Sequence, residues 1–159
     1  MTNTPDDPAK NRTQTLALQG VANWIVRGLL RTPLVSRGIG SRLITLYVVG
    51  RKSGKRYTVP VAYTRQEDVL LIGTPFGWAR NLRTGEPVEV RFKGRRRSAD
   101  VQVVTDEPAV IRDYAVIARD NRNFASFNKI SLDGHGDPDP VDLHLAWAAG
   151  ARVLRLTLR

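Results

Sequence analysis

The chain of 159 residues has 25 lysines and arginines against 15 aspartates and glutamates, a net charge of +10, and no cysteine. The missing cysteines exclude disulfides, thiolate metal sites and a cysteine nucleophile. The length predicts one domain with its own core. The charge predicts an anionic partner and leaves a small polyanion, a lipid surface and nucleic acid open.

The N-terminal part predicts a polar tail and then a helix. Residues 1–12 are polar, contain two prolines and are expected to be disordered, without a secretion signal. Apolar residues then recur at helical spacing over residues 15–31, and Pro33 would end the helix. This helix either packs on the core or makes peripheral contact with a membrane or a substrate lipid. No apolar run is long enough to span a bilayer, so we expect a cytoplasmic protein, with the inner face of the membrane as the alternative.

From Arg42 onward the pattern is typical of β-strands, with β-branched and aromatic runs between polar turns. A helix is predicted from Asp106, where a cap, an acid and a proline follow in order, to about Asp120. Residues 121–142 read as a loop. Residues 13–159 are therefore predicted to form one α+β domain, an antiparallel meander that closes into a small barrel. The six predicted strands are 43–49, 57–64, 69–72, 87–92, 97–104 and 152–158.

The turn between the first two strands is the first candidate site. It places four cations, Arg51, Lys52, Lys55 and Arg56, around Ser53 and Gly54. Such a turn can direct backbone N–H groups and cationic side chains at one anion, which predicts a phosphate or carboxylate ligand. An ordinary basic hairpin loop is the alternative, because short basic motifs are common.

The second candidate site is the segment from Gly73 to Leu82, directly after a strand. Glycines at 73 and 77 allow close approach of the backbone to a ligand. Trp78 offers a flat apolar face, and the Asn81 amide both donates and accepts hydrogen bonds. The segment therefore predicts a pocket for an aromatic heterocycle, or else a corner with Trp78 in the core.

Two further segments carry charge. Five of the seven residues from Arg91 to Arg97 are cationic, on a hairpin that turns at Gly94. This hairpin predicts phosphate or nucleic-acid contact, or simply a solvated face. Two histidines and four aspartates lie between Leu132 and His144, but their spacing matches no metal motif, so no metal site is predicted.

Four motifs occur together: the turn Gly50-Arg51-Lys52-Ser53-Gly54, the strand Thr58-Val59-Pro60-Val61, the segment Trp78-Ala79-Arg80-Asn81-Leu82-Arg83, and the basic hairpin from Arg91 to Arg97. Together with the segment Val26 to Leu34 near the start of the domain, they resemble the deazaflavin (F420)-dependent nitroreductase family over residues 20–105. The resemblance implies a split β-barrel like that of FMN-binding oxidoreductases. It also implies coenzyme F420, a deazaflavin with a phosphate and an oligoglutamate tail.

The resemblance assigns two groups of binding residues. The phosphate and the ring edge would be lined by Arg51, Lys52, Ser53, Gly54, Arg56, Thr58 and Pro60. The ring would lie along Gly73, Thr74, Phe76 and Gly77, with Trp78 and Asn81 completing the pocket. The chain departs from the family at Ala79, where a tyrosine is frequent, and at Asn123 to Lys129, which lacks the tyrosines of the nitroreductase branch. These departures leave the substrate open.

The sequence thus predicts an F420H2-dependent reductase that transfers a hydride to an electron-poor small molecule, a quinone, enone or nitro compound. No spacing identifies a catalytic residue, although Tyr63 and Tyr114 are candidate proton donors. FMN is the rival cofactor, because its phosphate suits the same turn. The alternative from another class is a non-catalytic basic barrel that binds anionic lipid or nucleic acid, and the scarcity of aromatics among the cations disfavours nucleic acid. A homodimer is expected by family analogy alone.

Overall fold

Seven antiparallel strands form one sheet in the computed structural model, which describes residues 42–159. The predicted tail and the helix over residues 15–31 lie outside the described residues. Polar turns separate the strands, and buried and more exposed side chains alternate along residues 43–49 and 88–92, as expected of a half-buried sheet. The strands are β1 (Leu43–Val49), β2 (Arg56–Ala62), β3 (Thr64–Gln66), β4 (Val69–Thr74), β5 (Val88–Phe92), β6 (Arg95–Val104) and β7 (Arg152–Leu158).

The strand order is β2-β1-β5-β6-β7-β4-β3. The predicted simple meander is therefore wrong, because the connection over residues 75–87 lets β5 pair with β1 and not with β4, and β7 then lies between β6 and β4. The two edge strands, β2 and β3, are separated in sequence by Tyr63 alone. The sheet must therefore curl until its two edges approach each other at Tyr63, which gives a split half-barrel.

The structure has seven strands where the sequence predicted six. The predicted strand over residues 57–64 ends at Ala62, and the chain then crosses to the other edge of the sheet. Thr64–Gln66 pairs with β4 instead of β1, with Thr64 opposite Leu71. The Tyr63 N–H donates to the Arg42 carbonyl at 3.0 Å, which holds the crossing point beside the start of β1.

Three α-helices lie between β6 and β7. One short 3-10 helix, Gly77–Asn81, lies between β4 and β5. The helix predicted from Asp106 is confirmed, since the Asp106 side chain accepts a hydrogen bond from the Ala109 N–H at its first turn. The prediction of a loop over residues 121–142 is wrong, because Asn121 and Asp139 each cap a further helix. The helices are α1 (Glu107–Asp120), α2 (Arg122–Phe127) and α3 (Pro140–Ala148).

Alternation along the strands builds two apolar cores, one on each face of the sheet. The inner core inside the curl takes residues such as Leu46 of β1 and Ile72 of β4. The outer core lies under α1, where Leu71 and Val153 meet Tyr114. Since α1 packs on β3, β4 and β7, it covers one half of the outer sheet face. The outer face of β1, β2 and β5 is a separate surface on which Thr58 and Arg91 are exposed.

A buried ion pair joins α1 to β7. The Asp113 carboxylate is 2% exposed, and it accepts two hydrogen bonds from Arg155, from Nε at 2.7 Å and from Nη2 at 3.0 Å. This two-point contact compensates the desolvation of the carboxylate. The ion pair fixes the middle of α1 to β7, so the helix cannot slide along the sheet without breaking it.

Gly73 of β4 allows the helices to approach the sheet. A Cβ at this position would lie 2.7 Å from Cζ of Phe124 and 2.9 Å from Cε2 of Tyr114. These two rings pack edge to face, with centroids 5.0 Å apart. Because Gly73 has no side chain, the rings of Tyr114 from α1 and Phe124 from α2 can pack directly on β4.

We expect Gly73→Ala to lower the free energy of unfolding by about 1–3 kcal/mol, because its methyl group would displace two packed rings. Gly77→Ala is the matched control, since a Cβ at Gly77 meets nothing within 4 Å and its backbone is not left-handed. Urea denaturation followed by circular dichroism measures both variants. Equal stability of the two variants would contradict this account of Gly73.

Candidate anion-binding groove

The β1–β2 turn is closed by its own backbone. The Gly54 N–H donates to the Gly50 carbonyl, and the Gly50 N–H donates to the Lys55 carbonyl, each at 2.8 Å. Gly54 has φ of +66°, which favours glycine, and a Cβ at Gly50 would lie 2.7 Å from Ser53 Oγ and 3.0 Å from Tyr57 Cε2, so a side chain there would displace both. The Ser53 Oγ accepts from the Lys55 N–H at 3.2 Å.

These bonds change the expected role of the turn. The N–H groups of Gly50, Gly54 and Lys55 are used inside the turn, and that of Arg51 donates to Asn81. Most of the turn's backbone donors are thus satisfied within the protein and do not face an external anion. The attraction for an anion comes instead from the arginine side chains that the turn positions.

Arg51 and Asn81 join the two motifs that the sequence separates by thirty residues. The Arg51 N–H donates to Asn81 Oδ1 at 3.1 Å, and Arg51 Nε donates to the Asn81 carbonyl at 3.2 Å. The Asn81 amide donates in turn to the Trp78 carbonyl at 3.0 Å. Asn81 therefore acts on protein groups, and through them it ties the basic turn to the 3-10 helix.

A groove of 580 Å³ opens beside this contact. Its volume lies in the range of small-molecule sites. Its walls come from β1, the basic turn, the start of β2, the end of the 3-10 helix and the entry to β5. The lining residues are Tyr47, Val49, Gly50, Arg51, Gly54, Arg56, Asn81, Leu82, Arg83, Glu86, Pro87, Val88 and Glu89.

Strand register explains which β2 residues face this side of the sheet. Arg56 lies opposite Val49, Thr58 opposite Tyr47, and Pro60 opposite Thr45. Directly paired residues share a face, so Arg56, Thr58 and Pro60 all lie on the outer face that carries the groove. Of these three, Arg56 lines the groove itself, and the other two follow it along β2.

The charges in the groove are unevenly paired. Arg51 Nη2 lies 2.7 Å from Glu86 Oε2, in an ion pair at the groove wall. Within residues 42–159, Arg56 and Arg83 form no ion pair. Two unpaired arginines beside one fixed arginine give the groove a positive potential, which is stronger in a concave site than on an open surface.

The remaining predicted residues lie elsewhere. Lys52 and Ser53 are exposed on the turn, outside the groove lining. Gly73 is packed against Phe124, and Thr74 is buried with its Oγ accepting from the Phe76 N–H at 3.1 Å. The second segment thus reaches the groove with its last residues and not with its glycines.

The aromatic residues of that segment also turn away from the groove. The Phe76 ring packs on Phe127, with centroids 5.9 Å apart, and Gly77 begins the 3-10 helix. Trp78 packs against the inner core, and its Nε1 is buried with no hydrogen-bond partner among the described residues. The last residue of the 3-10 helix, Asn81, and the two residues that follow it, Leu82 and Arg83, line the groove.

Sequence reasoning missed Tyr47, Arg83, Glu86 and Glu89. Tyr47 could have been found, because alternation along β1 places it on the same face as the Arg56 position. Glu86 follows a turn and carries no local signal of its contact with Arg51. The candidate proton donors lie outside the lining: Tyr63 packs on Phe92 in the inner core, and burial raises the pKa of Tyr114.

The acidic segment before α3 is used structurally. Asp133 Oδ1 accepts from the N–H groups of His135 and Asp137, and His144 Nδ1 lies 2.5 Å from Glu107 Oε1. Among residues 42–159, no three histidine, aspartate or glutamate side chains are grouped as metal ligands. In the same part of the chain, every helix is too short or too polar to cross a bilayer.

A sequence profile of the F420H(2)-dependent quinone reductase family matches residues 24–129, a span that contains the whole groove. No curated protein matches the chain. Solved structures that match include a candidate 5-nitroimidazole antibiotic resistance protein of Bacteroides thetaiotaomicron, with 12% identity, a TM-score of 0.45 and 81% of both chains covered. Conserved hypothetical protein Rv2991 of Mycobacterium tuberculosis has 14% identity, a TM-score of 0.46 and 82% coverage of both chains.

A third structure, the protein Atu2129 of unknown function from Agrobacterium tumefaciens, has 18% identity and a TM-score of 0.44, over 73% of this chain and 48% of its own. The profile match spans about two thirds of the chain and includes every motif from Gly50 to Arg97. The chain belongs to the F420H(2)-dependent quinone reductase family, which confirms the F420-dependent family predicted from its motifs.

Proposed function

We propose that the protein is an F420H2-dependent reductase that transfers a hydride to an electron-poor small molecule, with quinones the first substrate class to test and enones and nitro compounds after them. The observation that carries the proposal is the groove in which Arg51, held by Asn81, lies with Arg56 and Arg83. The family supports the cofactor, and the groove supports an anionic, ring-bearing ligand of that size.

The groove fits the chemistry of F420. Its phosphate and glutamates need cations, and Arg56 and Arg83 are the groove cations that no carboxylate of the described residues neutralises. Lys52 and Ser53 stand on the exposed turn beside them, and Thr58 and Pro60 extend the same face along β2. We assign the phosphate to the Arg51–Arg56 end on this basis.

Bound reduced F420 supplies a hydride from its C5. The chain's own work is to hold that ring against the acceptor and to keep water from the contact. Tyr47, Val49 and Leu82 give the groove its apolar surface. Hydride transfer would leave a negative charge on the acceptor, and a groove arginine would stabilise that charge before solvent protonates it.

Arg51 is held in place by Asn81, but its guanidinium is not free to bind a ligand. Its guanidinium is paired with Glu86 at 2.7 Å, so an incoming phosphate competes with a carboxylate already bound. The Arg51 backbone and Nε contacts to Asn81 do not involve Glu86. Removing the carboxylate should therefore free the cation without moving it.

We expect Glu86→Gln to tighten F420 binding by up to about fivefold, because one exposed ion pair contributes up to about 1 kcal/mol. Glu67→Gln is the control, since it adds the same unit of charge on the β3–β4 turn, outside the groove. F420 fluorescence titration gives both dissociation constants. A variant that binds F420 no better than the Glu67→Gln control would show that Glu86 does not compete.

We expect the wild-type protein to bind F420 and to oxidise F420H2 in the presence of a soluble quinone, followed by deazaflavin absorbance. Arg56→Gln should raise the dissociation constant of F420 about tenfold, and Arg122→Gln on α2 should leave it unchanged. Tight FMN binding without F420 binding would assign the groove to the rival cofactor. Binding of neither, with salt-sensitive binding of DNA or anionic vesicles, would favour a non-catalytic basic barrel.

A further inference from the structure

The outer face of β5 and β6 carries two arginines directly opposite each other. Arg91 of β5 pairs with Arg96 of β6 in the strand register. Both side chains are exposed, and paired residues project from the same face. Like charges in this position destabilise a sheet unless an anion compensates them.

Only part of this charge is compensated. Arg96 Nη1 lies 2.7 Å from Glu89 Oε1. Within the described residues, Arg91 forms no ion pair. Lys93 and Arg95 at the hairpin tip add further cations. The face thus has more positive charge than its own carboxylate can neutralise.

Arg96 connects this face to the groove. Its guanidinium carbon lies 4.8 Å from the centroid of the Tyr47 ring, and its carboxylate partner is Glu89. Tyr47 and Glu89 both line the groove and lie opposite each other on β1 and β5. The cations therefore begin where the groove ends, and the surface between them is continuous.

The spacing suits an extended polyanion. Arg91 is two residues beyond Glu89 along β5, which is about 7 Å in a strand. Arg96 is in the neighbouring strand, about 5 Å across the sheet. A flexible chain of carboxylates leaving the groove beside Tyr47 would meet Arg96 and then Arg91. Its negative charges would neutralise the excess positive charge of these two arginines.

We propose that Arg91 and Arg96 form a subsite for the oligoglutamate tail of F420, so that the sheet face selects tailed deazaflavin over deazaflavin without a tail. This inference rests on the proposed function. It adds a second contact region to the cofactor, distinct from the Arg51–Arg56 end assigned to the phosphate. The subsite contributes affinity and selectivity and takes no part in hydride transfer.

The test compares two ligands, F420 with several glutamates and the tail-less deazaflavin, by fluorescence titration at low salt. The readout is the dissociation constant of the tail-less deazaflavin divided by that of F420. It is measured in the wild type, Arg91→Gln, the double variant Arg91→Gln/Arg96→Gln, and the control Arg122→Gln. We expect the ratio to fall about tenfold in the double variant, by less in Arg91→Gln, and not at all in the control. Because Arg91 forms no ion pair with the described residues, the single variant should retain the fold.

Raising the salt concentration should reduce the wild-type ratio toward that of the double variant. An unchanged ratio in both arginine variants, with tight F420 binding, would overturn the subsite and leave the proposed function standing. Loss of vesicle binding in the double variant without a change in the ratio would also overturn it, in favour of a lipid surface. Failure of the wild type to bind either deazaflavin would overturn the proposed function and the subsite together.

Discussion

The contact between Asn81 and Arg51 is the interaction on which the candidate site depends. One amide residue accepts from the Arg51 backbone and from its Nε, and it donates to Trp78. Because Trp78 is packed against the inner core, this chain of hydrogen bonds ties an exposed basic turn to the rigid interior. A long arginine side chain normally loses conformational freedom when it binds an anion. Here part of that loss occurs on folding, which favours binding at a fixed position.

The curled sheet separates packing from recognition. On one half of its outer face, Gly73 admits the rings of Tyr114 and Phe124, and Asp113 binds Arg155. On the other half, charges remain exposed and incompletely paired. Like charges that face each other across two strands weaken a sheet unless they are compensated. The polyanionic cofactor that we propose would compensate the excess of arginine around the groove and along β5 and β6.

Local chemistry allowed much of the fold to be predicted from the sequence. Alternation identified most strands, the Asp106 cap located α1, and Gly50 and Gly54 marked the turn between β1 and β2. The strand order was not predictable, because long connections do not determine where a strand enters a sheet. Asp139-Pro140 carries the same start signal as the α1 cap, but glycines and prolines around it suggested a loop. At the site, Asn81 was identified by its residue type, whereas Glu86 depends on a tertiary contact alone.

The most direct test of the central claim is a ¹H–¹⁵N spectrum of the assigned protein titrated with F420. The account predicts the largest chemical-shift changes at the amides of residues 50–56 and 81–83, where the basic turn meets Asn81. The amides of Gly73, Thr74 and Phe76 should change little, because they face the helices and not the groove. The largest changes at those three amides, with an unchanged turn, would contradict it.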